Sequence, residues 1–66
     1  MDVIVNGQTR TVEAGETVIG LLRAYGLEHK MVVVEIDGAI VPKETWTAAG
    51  LAPGMKIELV HFVGGG

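Results

Sequence analysis

The sequence predicts an α+β fold, a mixed sheet of about five strands packed on one main helix with a flexible glycine tail at the C-terminus. Three observations point there. Asn6-Gly7 joins two strand-like runs, Val18 to Tyr25 carries apolar residues at helical spacing, and Met55 to Phe62 alternates before the chain stops on Gly64-Gly65-Gly66.

The first run, Asp2 to Asn6, is β-branched in its middle and meets Gly7 at once. A two-residue type I′ turn needs φ > 0 at both central positions, which Asn and Gly accept at least cost, so Gln8 to Val12 returns antiparallel. Residues 1–13 form a hairpin. Ala14-Gly15-Glu16 then breaks the alternation, and Thr17 precedes Val18, Leu21, Leu22 and Tyr25, spaced i, i+3, i+4, i+7. That is one helical face of about two turns, capped by Thr17, with Arg23 opposite the apolar stripe and Gly26 ending it in a left-handed conformation. Gly20 within it costs roughly 1 kcal/mol relative to Ala, which suggests close approach to a strand or simple tolerance.

Leu27 to Met31 reads as a solvated connector in which His29 is inert surface. Val32 to Ile36 is β-branched without alternation, the pattern of a strand covered on much of both sides, and is a candidate for the central strand. After Asp37-Gly38 comes a shorter strand, Ala39-Ile40-Val41, stopped by Pro42 and therefore at an edge. Lys43 to Leu51 is irregular or one short helical turn, with Trp46 as a lid on the core. Pro53-Gly54 turns the chain into the last strand, where Ile57, Leu59 and His61 fall on the buried side and Val60 and Phe62 on the outer face. Strand, strand, helix, strand, strand, loop, strand describes a β-grasp, with first and last strands parallel if adjacent. Residues 1–61 are the domain and 62–66 the tail.

Sixty-six residues without cysteine make one small domain with no disulfide scaffold, thiolate nucleophile or cysteine metal site. Serine is absent too, and two histidines are too few for the usual metal site without carboxylate help. The residues offer no enzyme's toolkit, no bound cofactor and no metal. An apolar fraction of 48% argues for a packed core, while eight acidic against five basic residues disfavour nucleic acid or anionic lipid and suit a basic partner groove. With neither a signal peptide nor an 18-residue apolar run, the expected setting is the cytoplasm, and the expected free state a monomer.

Three glycines after an apolar strand stabilise nothing. They make a thin thread, Gly64 and Gly65, that can carry the Gly66 carboxylate into another enzyme's slot; the plain alternative is a frayed terminus. Val60 and Phe62, with Val63 beside them, read either as a docking patch coupled to that reactive tip or as side chains that cover part of the sheet or pack on Trp46. Val63 to Gly66 fully extended reach roughly 13 Å, enough to thread a slot beside a docked body.

The whole chain resembles the ubiquitin-like sulfur carriers, most closely the ThiS family of thiamine biosynthesis. The resemblance rests on the Asn6-Gly7 turn, Glu16-Thr17-Val18 running to Leu21-Leu22, the segment Ile36-Asp37-Gly38-Ala39-Ile40-Val41-Pro42-Lys43-Glu44-Thr45-Trp46, and the glycine end. It implies that a ThiF-like enzyme uses ATP to adenylate the terminal glycine, that sulfur from a persulfide donor of the cysteine desulfurase type leaves a thiocarboxylate, and that the thiazole synthase ThiG consumes it. Carried onto this sequence, Gly66 is the modified residue, Gly64 and Gly65 thread, and Val60 and Phe62 dock. The family commonly ends in two glycines where this chain has three, so Gly65 after trimming is the alternative acceptor. Other destinations stay open: sulfur for molybdopterin, cysteine or methionine, or transfer RNA, and a binding or conjugation module whose tail is idle.

Overall fold

The computed structural model describes residues 1–62. Five strands, β1 (Asp2–Val5), β2 (Gln8–Thr11), β3 (Val32–Ile36), β4 (Ala39–Ile40) and β5 (Lys56–His61), form one mixed sheet in the order β2-β1-β5-β3-β4. Among the described residues one α-helix, α1 (Val18–Ala24), packs on one face, and a 3₁₀ turn, Lys43–Thr45, precedes Trp46. β1 and β5 are adjacent and parallel; the other pairings are antiparallel. This is the β-grasp read from the element order.

Each element follows from its residues. Asn6 and Gly7 take φ of 49° and 82°, as the tight β1–β2 turn requires, and Asp37-Gly38 repeats that device between β3 and β4. The helix starts where its orphan amides find acceptors. Val18 N–H donates to the Ala49 carbonyl at 2.9 Å, Ile19 N–H to the Trp46 carbonyl at 3.1 Å, and Gly20 N–H to Thr17 Oγ1 at 3.3 Å. The loop between Trp46 and Leu51 thus completes the cap that Thr17 begins. The helix stops in a Schellman arrangement, with Leu27 N–H on the Leu22 carbonyl, Gly26 N–H on the Arg23 carbonyl and Gly26 at φ +71°.

The core lies between helix and sheet: Val18, Leu21 and Leu22 from α1, Val3, Val5, Val34, Ile57 and Leu59 from the strands, Trp46 and Leu51 from the long connection. Burying an aliphatic side chain of this size contributes about 1.5–3 kcal/mol, so this small set dominates the stability of so short a chain. Trp46 is the lid expected of it. It is buried, and its indole N–H donates to the Val41 carbonyl at 2.9 Å, which satisfies the one polar atom it brings inside.

Three expectations need correction. The central strand is β5, not Val32–Ile36: β3 stands next to the edge strand β4, and only Val34 in it is buried. Its unbroken β-branched run reflects partial cover of the outer residues, not a second layer. His61 is exposed although its register is that of Ile57 and Leu59. A seven-residue helix spans about 10 Å while six strand residues span about 20 Å, so β5 runs on past the helix that would bury it. Gly20, finally, has no strand against it; the Glu16 carboxylate occupies the space a Cβ would need, and Glu16 Oε1 accepts from Thr17 N–H at 2.9 Å.

Candidate functional site

The helix covers one face of the sheet and leaves the other open, and the site candidates of β5 fall on that open face. Ile57 and Leu59 point into the core, so their neighbours Glu58 and Val60 point outward, as does Phe62 one period further on. Val60 is 47% and Phe62 52% exposed. Trp46 is buried on the helix side, which removes the alternative that these two residues pack against it. Phe62 is still tied to the sheet: its N–H donates to the Met31 carbonyl at 3.0 Å, one ladder step beyond β3.

That step brings in residues the sequence reading did not assign to the site. Met31, expected in a solvated connector, stands opposite Phe62 and is 74% exposed. Val33 is the register partner of Val60, and Ile40, 68% exposed, is the partner of Glu35 on the edge strand. Three rows result across the open face: Met31 with Phe62, Val33 with Val60, and Ile40 with Glu35 and Glu58. The first two rows are apolar and lead toward residue 63. Register alone could have found Met31, since it lies two residues before Val33 and so shares its face. An apolar patch beside a strand end is the kind of surface that a partner covers.

Val63, Gly64, Gly65 and Gly66 lie outside the described residues. The docking role expected of Val63, the threading role of Gly64 and Gly65 and the acceptor role of Gly66 therefore have no geometry here. Among the described residues no three His, Cys, Asp or Glu side chains gather closely enough to hold a metal ion. No described helix is long and apolar enough to cross a membrane. His29 is exposed and lies 3.6 Å from Glu28, which also receives Arg23 at 2.8 Å; these contacts lie at the C-terminal end of α1, where Arg23 is in the last turn.

Comparison with known proteins matches residues 3–66 to the model of the ThiS family. The sulfur carrier protein ThiS of Bacillus subtilis is 46% identical over 50 residues, which is 76% of each chain. A thiazole synthase of Magnetococcus marinus is 41% identical over all 66 residues, and the chain spans about a fifth of that relative's length, 20%. The crystal structure of a thiamine biosynthesis protein (ThiS) from Geobacter metallireducens superposes with a TM-score of 0.83 at 32% identity, covering 100% of both chains.

Proposed function

The chain belongs to the ThiS family of ubiquitin-like sulfur carriers in thiamine biosynthesis, and from that premise we propose that Gly66 is the residue that carries the sulfur. A carboxylate is a poor electrophile because its charge is delocalised and its leaving group would be oxide. Transfer of AMP from ATP, with release of pyrophosphate, gives the Gly66 carbonyl a good leaving group. The outer sulfur of a persulfide displaces AMP to form an acyl disulfide, and a thiol reductant then cleaves the S–S bond, leaving the thiocarboxylate on Gly66 and a disulfide on the donor side. The nucleotide site and the electrostatic stabilisation belong to a ThiF-like adenylating enzyme; this chain is its co-substrate. A carrier needs only a body that docks and an end that reaches.

The observation that carries this reading is the family match running through Gly66 on a chain in which Val60 and Phe62, at the end of the described residues, offer an apolar surface. Thiazole synthase is the proposed consumer of the sulfur. Support for that choice over molybdopterin, cysteine, methionine or transfer RNA comes from relatives named thiazole synthase that contain a segment similar to this whole chain. Such chemistry is placed in the cytoplasm, where ATP and persulfide donors are available.

The test is a mass measurement. Incubation with a ThiF-like enzyme, ATP, a persulfide donor and a thiol reductant should add the mass difference between sulfur and oxygen, and fragmentation should locate it on Gly66. A chain that leaves that incubation with its mass unchanged overturns the proposal, and a shift located on Gly65 moves the acceptor one residue back.

A further inference from the structure

The third row of the open face holds an unexplained feature. Glu35 and Glu58 are register partners in the antiparallel β3–β5 pair, and both point away from the core. Asp37 N–H donates to the Lys56 carbonyl and Phe62 N–H to the Met31 carbonyl, so by alternation Glu35 and Glu58 also form a hydrogen-bonded pair, with Cα atoms about 5.5 Å apart. Like charges directly opposite one another destabilise a sheet. Among the described residues no cation lies within salt-bridge distance of either carboxylate: the close contacts of this kind are Arg23 and His29 with Glu28, and Lys56, two residues along β5, reaches neither Glu35 nor Glu58.

The row is apolar on one side and charged on the other, where Lys56 and Asp37 form the next step of the ladder. Ile40 flanks Glu35 on one side, and the Val33–Val60 row runs alongside the pair. A partner that covers Val60 and Ile40 must also take these two carboxylates out of water, which is unfavourable unless it brings a charge and donors to them. A guanidinium, planar and carrying five N–H donors, can bridge two adjacent carboxylates where an ammonium cannot do so with the same geometry. Resting on the reading of this chain as a co-substrate, we propose that the Ile40–Glu35–Glu58 row is the electrostatic half of the docking face and seats an arginine of the adenylating enzyme, set within an apolar surface that covers Val60 and Phe62. The acidic pair fixes the register of the complex, and the apolar rows supply most of the buried area.

The experiment measures KM for the carrier in ATP–pyrophosphate exchange by a ThiF-like enzyme, with melting temperature recorded on the same samples. Glu35→Gln with Glu58→Gln should raise KM roughly tenfold or more, leave kcat unchanged and flatten the dependence of KM on salt. The same double variant should melt no lower than the parent chain, because the like-charge pair is gone; Glu58→Gln alone gives the same signs at smaller size. A charge-matched control, Glu13→Gln with Glu44→Gln, should keep the parent KM. An unmoved KM in the Glu35/Glu58 variant, or an equal loss in the control, overturns this inference while the carrier reading stands. A parent chain that supports no exchange overturns both.

Discussion

Asn6 holds Leu59 by both ends of its side-chain amide. Its Oδ1 accepts from the Leu59 N–H at 2.8 Å and its Nδ2 donates to the Leu59 carbonyl at 3.3 Å. β1 ends at Val5, opposite Ile57, and the Asn6 N–H still reaches the Ile57 carbonyl at 2.9 Å. The side chain then takes the place of the strand residue that the turn has removed. Leu59 is nearly buried, so its backbone groups would otherwise lack partners on the β1 side. Replacing Asn6 by Gly keeps the positive φ of the turn and deletes both bonds. The expected loss is about 1–3 kcal/mol in urea unfolding, and an unchanged midpoint would show that water replaces the amide without cost.

Trp46 closes the core and anchors the connection between β4 and β5. Trp46→Ala should cost about 3–5 kcal/mol, enough to unfold most of a chain this short at 37 °C. Trp46→Phe keeps most of the volume but leaves the Val41 carbonyl without its donor, so a loss of about 1–3 kcal/mol is expected. Calorimetry on both variants separates the packing loss from the hydrogen-bond loss.

Gly26 ends α1 at φ +71° with open space around the position of a Cβ. Gly26→Ala therefore meets backbone strain but no clash, and should cost about 1–2 kcal/mol. A loss above that range in a thermal melt would mean that the substitution has also undone the Leu27–Leu22 hydrogen bond.

Val60 and Phe62 test the docking face without touching the core. Val60→Ser with Phe62→Ser should change stability by less than about 0.5 kcal/mol for each exposed site. The same variant should lower kcat/KM for adenylation by roughly tenfold or more, since truncating a buried apolar anchor at an interface costs over 1 kcal/mol. Full activity with full stability would remove these residues from the interface.

The local elements were legible because single residues dictate them. Asn6-Gly7, Thr17, Gly26 and Pro42 each fix a backbone geometry, and the structure puts a turn, a cap, a helix end and a strand limit at those places. Strand order was less legible. Val32 to Ile36 looks more central than Lys56 to His61 because residue type reports burial, and a strand beside a short edge strand can be as apolar as one in the middle. His61 shows the matching limit of periodicity, which assigns a face but not how far the cover extends. Within the site, Val60 and Phe62 followed from alternation in one strand, and Met31 needed the same alternation run back from Val33 into the connector, whereas Ile40 and the Glu35–Glu58 pair became visible only with the register between strands.

The two amides of α1 that end on Ala49 and Trp46 tie a helix near the start of the chain to a loop about thirty residues later. Neither acceptor is available until that distant loop has arrived, so the helix has no sequence-local route to a complete first turn. Cooperativity follows: helix and loop should open together in the same sub-global event. Native-state hydrogen exchange would register this as equal, near-maximal protection of the Val18 and Ile19 amides, where an isolated two-turn helix would exchange almost as fast as coil.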